Sequence, residues 1–371
     1  MFFIQAGGTP YEIGHQTGEA TKFAVVCAVD MLARQFHDWD SARFKKARDR
    51  HMSYTEKACP DVVEEVAGLA DGAGQPFELM YLTNFYASMR AGHEGCSNLI
   101  LTGTPDGPVL AKTTDLPAHE GKHSAVRLIR PKDGPATLSM TWVGTVWQGT
   151  GINEAGLAIG GSSCTAQVPM PEEALNPHAI GSYVLRRAET VDEAIKLLGG
   201  MAVLPWGANH ALVDRSGSAA IVEKAGAFQG VRHAQGARIW CTNHSLTPEL
   251  EPYRTGDPTA VQESVDRFEA IARLSGEQEP SLELAHRVLA YADRPGAVCR
   301  YIDGDPVGYA TEAVCLYMPV GGRMRFCFSH PDRDPWYEAS LCDDSEPKRL
   351  HIDPQTGGEP PSPPQANKGC D

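Results

Sequence analysis

The chain lacks most of the signatures from which a function is commonly read. It has no Gly-x-Ser-x-Gly elbow, no Gly-x-x-x-x-Gly-Lys-Ser/Thr phosphate loop and no Cys-x-x-Cys pair, so neither a zinc knuckle nor a thioredoxin-type motif is supported. It also lacks positive charge: 33 Lys+Arg against 47 Asp+Glu leave a formal net charge of −14. That balance disfavours nucleic acid or an anionic membrane surface as partner. No apolar run approaches the length that spans a bilayer, and there is no internal repeat. The opening Met1-Phe2-Phe3-Ile4-Gln5-Ala6 has no basic start and no sustained apolar stretch. No secretory signal is read there, and the cytoplasm is the expected location.

What is present describes a soluble globular protein. Its 371 residues are 42% hydrophobic and 22% charged, enough to bury one large or two ordinary cores. The ten cysteines stand scattered at 27, 59, 96, 164, 241, 299, 315, 327, 342 and 370. In a reducing compartment most are expected to be buried thiols.

Periodicity divides the chain at residue 96. Thr9 and Pro10 read as the cap and first turn of a helix, and the stretch from about Tyr11 to Ala58 is largely helical. Further helices follow Pro60 and Pro76. Beyond residue 96, short strand-like runs dominate, separated by glycine and Asp/Asn turns. Helical blocks at 177–199 and 258–292 interrupt them, the first containing the capping box Thr190-Val191-Asp192-Glu193. Strands in one long series with inserted helix pairs suggest stacked sheets covered by helices. The segments expected are therefore a mainly helical 1–95, a core over 96–342, and a disordered tail over 343–371 with six prolines.

Two strings imitate known sites. His119-Glu120-Gly121-Lys122-His123 spells the His-Glu-x-x-His zinc pattern, which requires a helix. Here it follows Asp115-Leu116-Pro117, carries a glycine and leads straight into a strand, so it reads as a loop. Gly149-Thr150-Gly151 starts like a dinucleotide loop but has neither the third glycine nor the following helix. No metal or cofactor is expected.

The informative segment is Gly95-Cys96-Ser97-Asn98-Leu99-Ile100-Leu101. A strand-like run follows Cys96, and a second, Val109 to Asp115, returns after the turn Thr104-Pro105-Asp106-Gly107. Cys96 and Asp115 stand nineteen positions apart with that turn midway, so antiparallel pairing brings them together. If the Gly95–Cys96 bond is cut, Cys96 carries a thiol and a free α-amine on one residue. The amine's ordinary pKa of about 7.7–8 suits a general base, and the thiol is a far better nucleophile than serine at that pH. A buried core cysteine is the alternative reading of the same residues.

Further segments, in order, carry a resemblance. They are Gly8 to Gly14 (Gly-Thr-Pro-Tyr-Glu-Ile-Gly), Glu65 to Gly74 with Asn84, Gly95-Cys96-Ser97, Thr114-Asp115, Gly151-Ile152-Asn153-Glu154-Ala155-Gly156-Leu157, Asn209 to Gly217, Thr242-Asn243-His244, Val298-Cys299-Arg300-Tyr301 and Ser329-His330-Pro331. In this order they resemble the acyl-coenzyme A:6-aminopenicillanic-acid acyltransferase family of N-terminal-nucleophile hydrolases. More distantly, the chain is similar to bile-salt hydrolases and penicillin V acylase.

The resemblance implies an α+β fold, a four-layer αββα sandwich, and a precursor that cuts itself between Gly95 and Cys96 into an αβ heterodimer, with room for higher homo-oligomers. It implies Cys96 as nucleophile, Asp115 as the carboxylate near the nucleophile's ammonium or thiol, and Asn243 as the oxyanion-stabilising amide. Arg267 and Arg300 match recurrent arginines, for which an ion pair between elements is an equal alternative. The substrate implied is a small N-acyl compound or peptide-like amide, with acyl-coenzyme A as a conceivable donor. Lys112, Thr114, Trp147 and Ser163 are the substrate-side candidates, and Trp142 and Trp206 are further aromatics at strand ends. Lys112 replaces an arginine and Ser163 a polar amide of the bile-salt branch, and His330-Pro331 departs from the small pair expected there. Bile salts and penicillin V are therefore poor guesses. Two rivals stand beside this reading: an uncleaved small-ligand binding protein, and a cysteine peptidase with His210 or His244 as base.

Overall fold

In the computed structural model, residues 2–35, 42–85, 95–117, 124–169, 171, 173–175, 177–343 and 345–350 are described. The His119–His123 string and the segment 351–371 lie outside them. Order extends past the expected core boundary at 342, because β14 (Trp336–Ser340) pairs with β15 (Lys348–Leu350).

Among the described residues up to 85, helices α1 (Pro10–Gln35), α2 (Ala42–Ala58), α3 (Pro60–Ala73) and α4 (Phe77–Phe85) account for most of the chain. Helices α1 and α3 pack against each other through glycines. A Cβ on Gly14 or Gly18 would strike the backbone of α3, and one on Gly68 or Gly72 would strike α1. The glycine-rich strings at 8–14 and 65–74 are thus the contact faces of two closely apposed helices. One element is not among those expected: Phe2–Gly8 is a strand, β1, running parallel to β4 (Ser124–Pro131).

The strands form two sheets. The eight-stranded sheet takes β1 and β4, then β5 (Thr137–Trp142), β6 (Thr150–Asn153), β7 (Leu157–Gln167), β8 (Trp206–Asp214), β9 (Ala219–Ala225) and β10 (Phe228–His233) in that order. The seven-stranded sheet runs β11 (Arg238–Cys241), β2 (Gly95–Leu101), β3 (Val109–Pro117), β12 (Tyr309–Met318), β13 (Arg323–Phe328), β14 and β15.

Three apolar clusters define the layers. Ile100, Leu110, Val126, Leu128, Tyr317 and Phe326 fill the space between the sheets. Ile159, Leu212 and Val222 pack outward against the α1/α3 side and against α5 (Pro177–Leu185) and α6 (Val191–Gly199). Leu99, Leu101, Val109 and Ala111 pack outward against α7 (Pro258–Ser275) and α8 (Leu282–Leu289). The result is the four-layer αββα sandwich, each strand alternating between two buried faces. Thr190 caps α6 as its sequence predicts, accepting from Glu193 N. No described helix is long and apolar enough to cross a membrane.

Candidate active site

Strands β2 and β3 pair antiparallel, with Gly95 opposite Asp115 and Cys96 opposite Thr114. Two-residue alternation then sorts the side chains. Ile100 and Leu110 lie between the sheets, so Cys96, Asn98, Lys112 and Thr114 share that face. Leu99 and Ala111 face α7 and α8, so Gly95, Ser97 and Asp115 look toward α7. The spacing argument thus places Asp115 correctly beside the 95–96 bond. Its side chain lies across the sheet plane from the Cys96 sulfur, opposite Gly95.

Helix α7 begins at Pro258 behind the N-cap Asp257. From it Arg267 reaches β2: Nη1 donates to the Cys96 carbonyl at 2.9 Å and to Ser97 Oγ at 3.0 Å. Its Nη2 donates to Asn243 Oδ1 at 2.7 Å. That same oxygen accepts the Cys96 backbone N–H at 3.0 Å. The amide nitrogen of Asn243 donates to Ser163 O at 3.0 Å and Ser163 Oγ at 3.1 Å. Asn243 is therefore clamped at both ends, and Ser264 Oγ accepts its backbone N–H at 2.8 Å.

Arg300 closes the other side. It makes a bidentate pair with Asp305, 2.8 Å from Nε to Oδ2 and 2.8 Å from Nη2 to Oδ1, and its Nη1 lies 3.2 Å from Glu263 Oε2. Glu263 also holds Arg267 Nε at 2.9 Å. One buried carboxylate thus bridges both arginines. Sequence reasoning misses it, because Glu263 and Arg267 four apart on a helix look like an ordinary exposed pair. For both arginines the ion-pair reading holds, and for Arg267 so does proximity to Cys96.

Arg300 also explains Gly95. A Cβ there would fall inside contact distance of Arg300 Nη1 and 3.2 Å from Asp115 Cβ. Gly95→Ala is expected to push the 95–96 segment off Arg300 and, if that bond is cut in maturation, to slow the cut at least about tenfold, a barrier increase of about 1.4 kcal/mol. A time course of fragment appearance by intact mass measures it.

Asp115 is fully buried. Burial pushes its carboxyl up to about 6 against the opposing pull of Arg300 and Arg267. Thr311 Oγ1 donates to its Oδ1 at 2.7 Å, while Oδ2 has no partner among the described residues. This orphaned acceptor lies beside the bond whose cleavage would release an ammonium.

Toward the mouth of the site, the same β3 face continues from Thr114 to Leu116, which clusters with Trp142 and Trp147. The two indoles stack at 4.3 Å and 4°. Trp147 therefore joins an apolar wall near Thr114, together with Trp142. Trp206 lies elsewhere, registered against Gln167 on β7. Lys112 sits deeper, 1% exposed, with Nζ donating to the Thr113 carbonyl at 3.2 Å.

Neither histidine considered as a base is well suited to the task. His244 Nδ1 is engaged by Ser264 Oγ at 2.9 Å and Thr242 Oγ1 at 3.2 Å, and burial lowers its pKa to about 4. His210 pairs in register with Gly161 on the helix-facing side of the other sheet and is also lowered to about 4. Among the described residues there is no group of three or more His, Cys, Asp or Glu that could hold a metal ion.

Several solved structures are similar to this chain. One is a mutant of conjugated bile acid hydrolase from Clostridium perfringens, with 12% identity over 70% of this chain and 97% of that one, and a TM-score of 0.49. Another is penicillin V acylase from Agrobacterium tumefaciens, with 17% identity over 69% and 91% and a TM-score of 0.43. A third is a Caenorhabditis elegans ortholog of N-acylethanolamine-hydrolyzing acid amidase, with 11% identity over 61% and 93% and a TM-score of 0.41. A family model matches residues 102–333, a span that starts just past β2 and contains Asp115, Asn243, Glu263, Arg267 and Arg300. With more than half of its length matched, the chain belongs to the acyl-coenzyme A:6-aminopenicillanic acid acyl-transferase family.

Proposed function

We propose that the protein matures by cutting its own Gly95–Cys96 bond and then hydrolyses or transfers the acyl group of a small amide through a Cys96 thioester. The observation that carries this reading is the clamp on Asn243, whose oxygen holds the Cys96 nitrogen while its amide N–H groups point to Ser163.

In maturation the Cys96 thiol attacks the Gly95 carbonyl. A C–S bond forms, the peptide C–N bond breaks, and the thiol proton passes to the departing nitrogen. Water then hydrolyses the thioester, leaving a carboxylate on Gly95 and an amine and thiol on Cys96. The products are a mainly helical chain of 95 residues and a core chain of 276, held as an αβ heterodimer.

In turnover the thiol attacks the substrate carbonyl and its proton moves to the α-amine. Asn243 Nδ2 exchanges its hydrogen bond to Ser163 Oγ for one to the oxyanion, while Asn243 Oδ1 and the carboxylate of Asp115 accept from the ammonium. Arg267 and Arg300 hold the strand end and the Asp115 charge in place. The ammonium then protonates the leaving amine. Water completes hydrolysis, and a second amine completes transfer. Thr114, Trp147 and Ser163 border the space a substrate fills, with the Trp142–Trp147 stack offering an apolar wall for the acyl group. Lys112 lies on the same face, further in.

Intact mass and N-terminal sequencing of the purified protein test the reading, together with turnover of an acyl-amide panel. Two fragments, the larger beginning at Cys96, with amide cleavage, support it. An intact, active chain overturns it. Asn243→Ala, in fragments purified after cleavage, is expected to lower kcat by about 100- to 1000-fold, the loss usual for one oxyanion donor. Steady-state kinetics on a common amide check this.

A further inference from the structure

Three buried nitrogens on the helix-facing side of the eight-stranded sheet have no hydrogen-bond partner among the described residues: Trp206 Nε1, His210 Nε2 and Lys224 Nζ. Lys224 is 0% exposed and His210 4%. Leu212, Ala220 and Val222 mark this face by packing toward the helices. Alternation therefore places Trp206, Ala208 and His210 of β8 and Lys224 of β9 on it together.

The pairing register shows what lies between them. Ala208 stands opposite Ser163 on one side and Lys224 on the other, and His210 stands opposite Gly161. Strands lie about 4.8 Å apart, so Ser163 and Lys224 are about 10 Å apart at the backbone with only an alanine methyl between them. Gly161 leaves the neighbouring position equally bare. This is a trough floored by small residues and flanked by donors. Its near wall is Ser163, the residue that accepts both hydrogen bonds of Asn243 Nδ2.

The chemistry of the trough is one-sided. Lys224 supplies an ammonium, His210 a ring nitrogen and Trp206 an indole N–H. Glu223, next in the chain to Lys224, faces the other way and is spent on Leu246 N, Thr247 N and Arg232 Nε. Gln229, opposite Lys224 on β10, also keeps Oε1 unbonded, so Lys224 does not use it. Burial, with the Lys224 ammonium as a lesser cause, depresses His210, and burial brings Lys224 itself down to about 8. Unpartnered buried donors are destabilising by about 1–3 kcal/mol each, and a bound anion satisfies all three together.

We propose that this trough is the anion subsite of the substrate pocket, binding a substrate carboxylate through Lys224, His210 and Trp206. The proposal rests on Cys96 being the nucleophile beside Asn243. The carboxylate can belong to either half of the amide, and the substrates used in the test separate the two.

The test uses the self-cleaved protein and two matched pairs. N-phenylacetyl-β-alanine and its primary carboxamide place the charge on the amine half. Glutaryl anilide and its primary carboxamide place it on the acyl half. The acid of at least one pair is expected to exceed its carboxamide at least tenfold in kcat/KM, chiefly through KM. Lys224→Met is expected to bring that ratio close to one, and Lys224→Arg to retain most of it. Intact-mass detection of both fragments certifies that each variant has folded. Acid and carboxamide turned over alike in both pairs, or a preference that survives Lys224→Met, overturns the subsite alone. Turnover of none of the four compounds removes the amidase reading along with it.

Discussion

Cys96→Ala is expected to leave one 40 kDa chain where the proposed maturation would split the unaltered protein in two, and to abolish turnover completely. The size of this effect follows from one residue holding both chemical roles. In the proposed mechanism the thiol makes the cut, and the cut creates the amine that serves as base in turnover, so removing the sulfur removes both. Cys96→Ser is the sharper probe. It keeps a nucleophile of nearly the same shape in the same grip, with Asn243 Oδ1 on its nitrogen and Arg267 on its carbonyl. A serine hydroxyl is a weaker nucleophile near neutral pH, so slow, incomplete cleavage is expected. A Cys96→Ala preparation that still splits and turns over amides would refute the mechanism. Denaturing electrophoresis and a chromogenic amide assay read both outcomes.

Glu263→Ala is expected to produce the largest loss of stability at the site. The residue is 6% exposed and holds Arg267 at 2.9 Å and Arg300 at 3.2 Å. Its removal strips a counter-charge from two enclosed guanidinium groups. Breaking one buried pair by deleting a partner typically costs about 3–5 kcal/mol, and here two arginines share the loss, although Asp305 still neutralises Arg300. Urea denaturation measures the change. Activity follows, because Arg267 loses the anchor that aims it at the Cys96 carbonyl. Glu263→Gln separates the effects: the amide keeps one hydrogen bond but no charge, so part of the stability returns while self-cleavage stays slow. A Glu263→Ala protein with an unchanged midpoint would contradict this account.

The readable and unreadable parts of this site differ for physical reasons. Asp115 is legible because a single turn sets the register of two adjacent strands, and residues equidistant from the turn meet. The Thr190 cap is legible because caps act within three residues. Asn243, Arg267 and Arg300 come only from the order of the family-like segments, since nothing local joins residue 96 to residues well over a hundred positions away. β1 gives no signal of its own, because Phe2–Gly8 finds its partner, β4, more than a hundred residues later. Glu263 and the Lys224–His210 pair are hidden for another reason. A charge on a helix or strand looks solvated until the layers are assembled and the water is gone. The strings Gly8–Gly14 and Glu65–Gly74 are visible as family-like segments, but only the packed helices give their cause.

The parallel pairing of β1 with β4 governs what a break at residue 95 would do to the molecule. The leading segment contributes an edge strand to the larger sheet, and Glu65 on α3 meets Arg127 of β4 at 2.5 Å and also pairs with Arg186. Severing the backbone would thus be a nick within one woven body. The two pieces are expected to travel together through gel filtration and to part only under denaturant, and neither should regain its shape when refolded without the other.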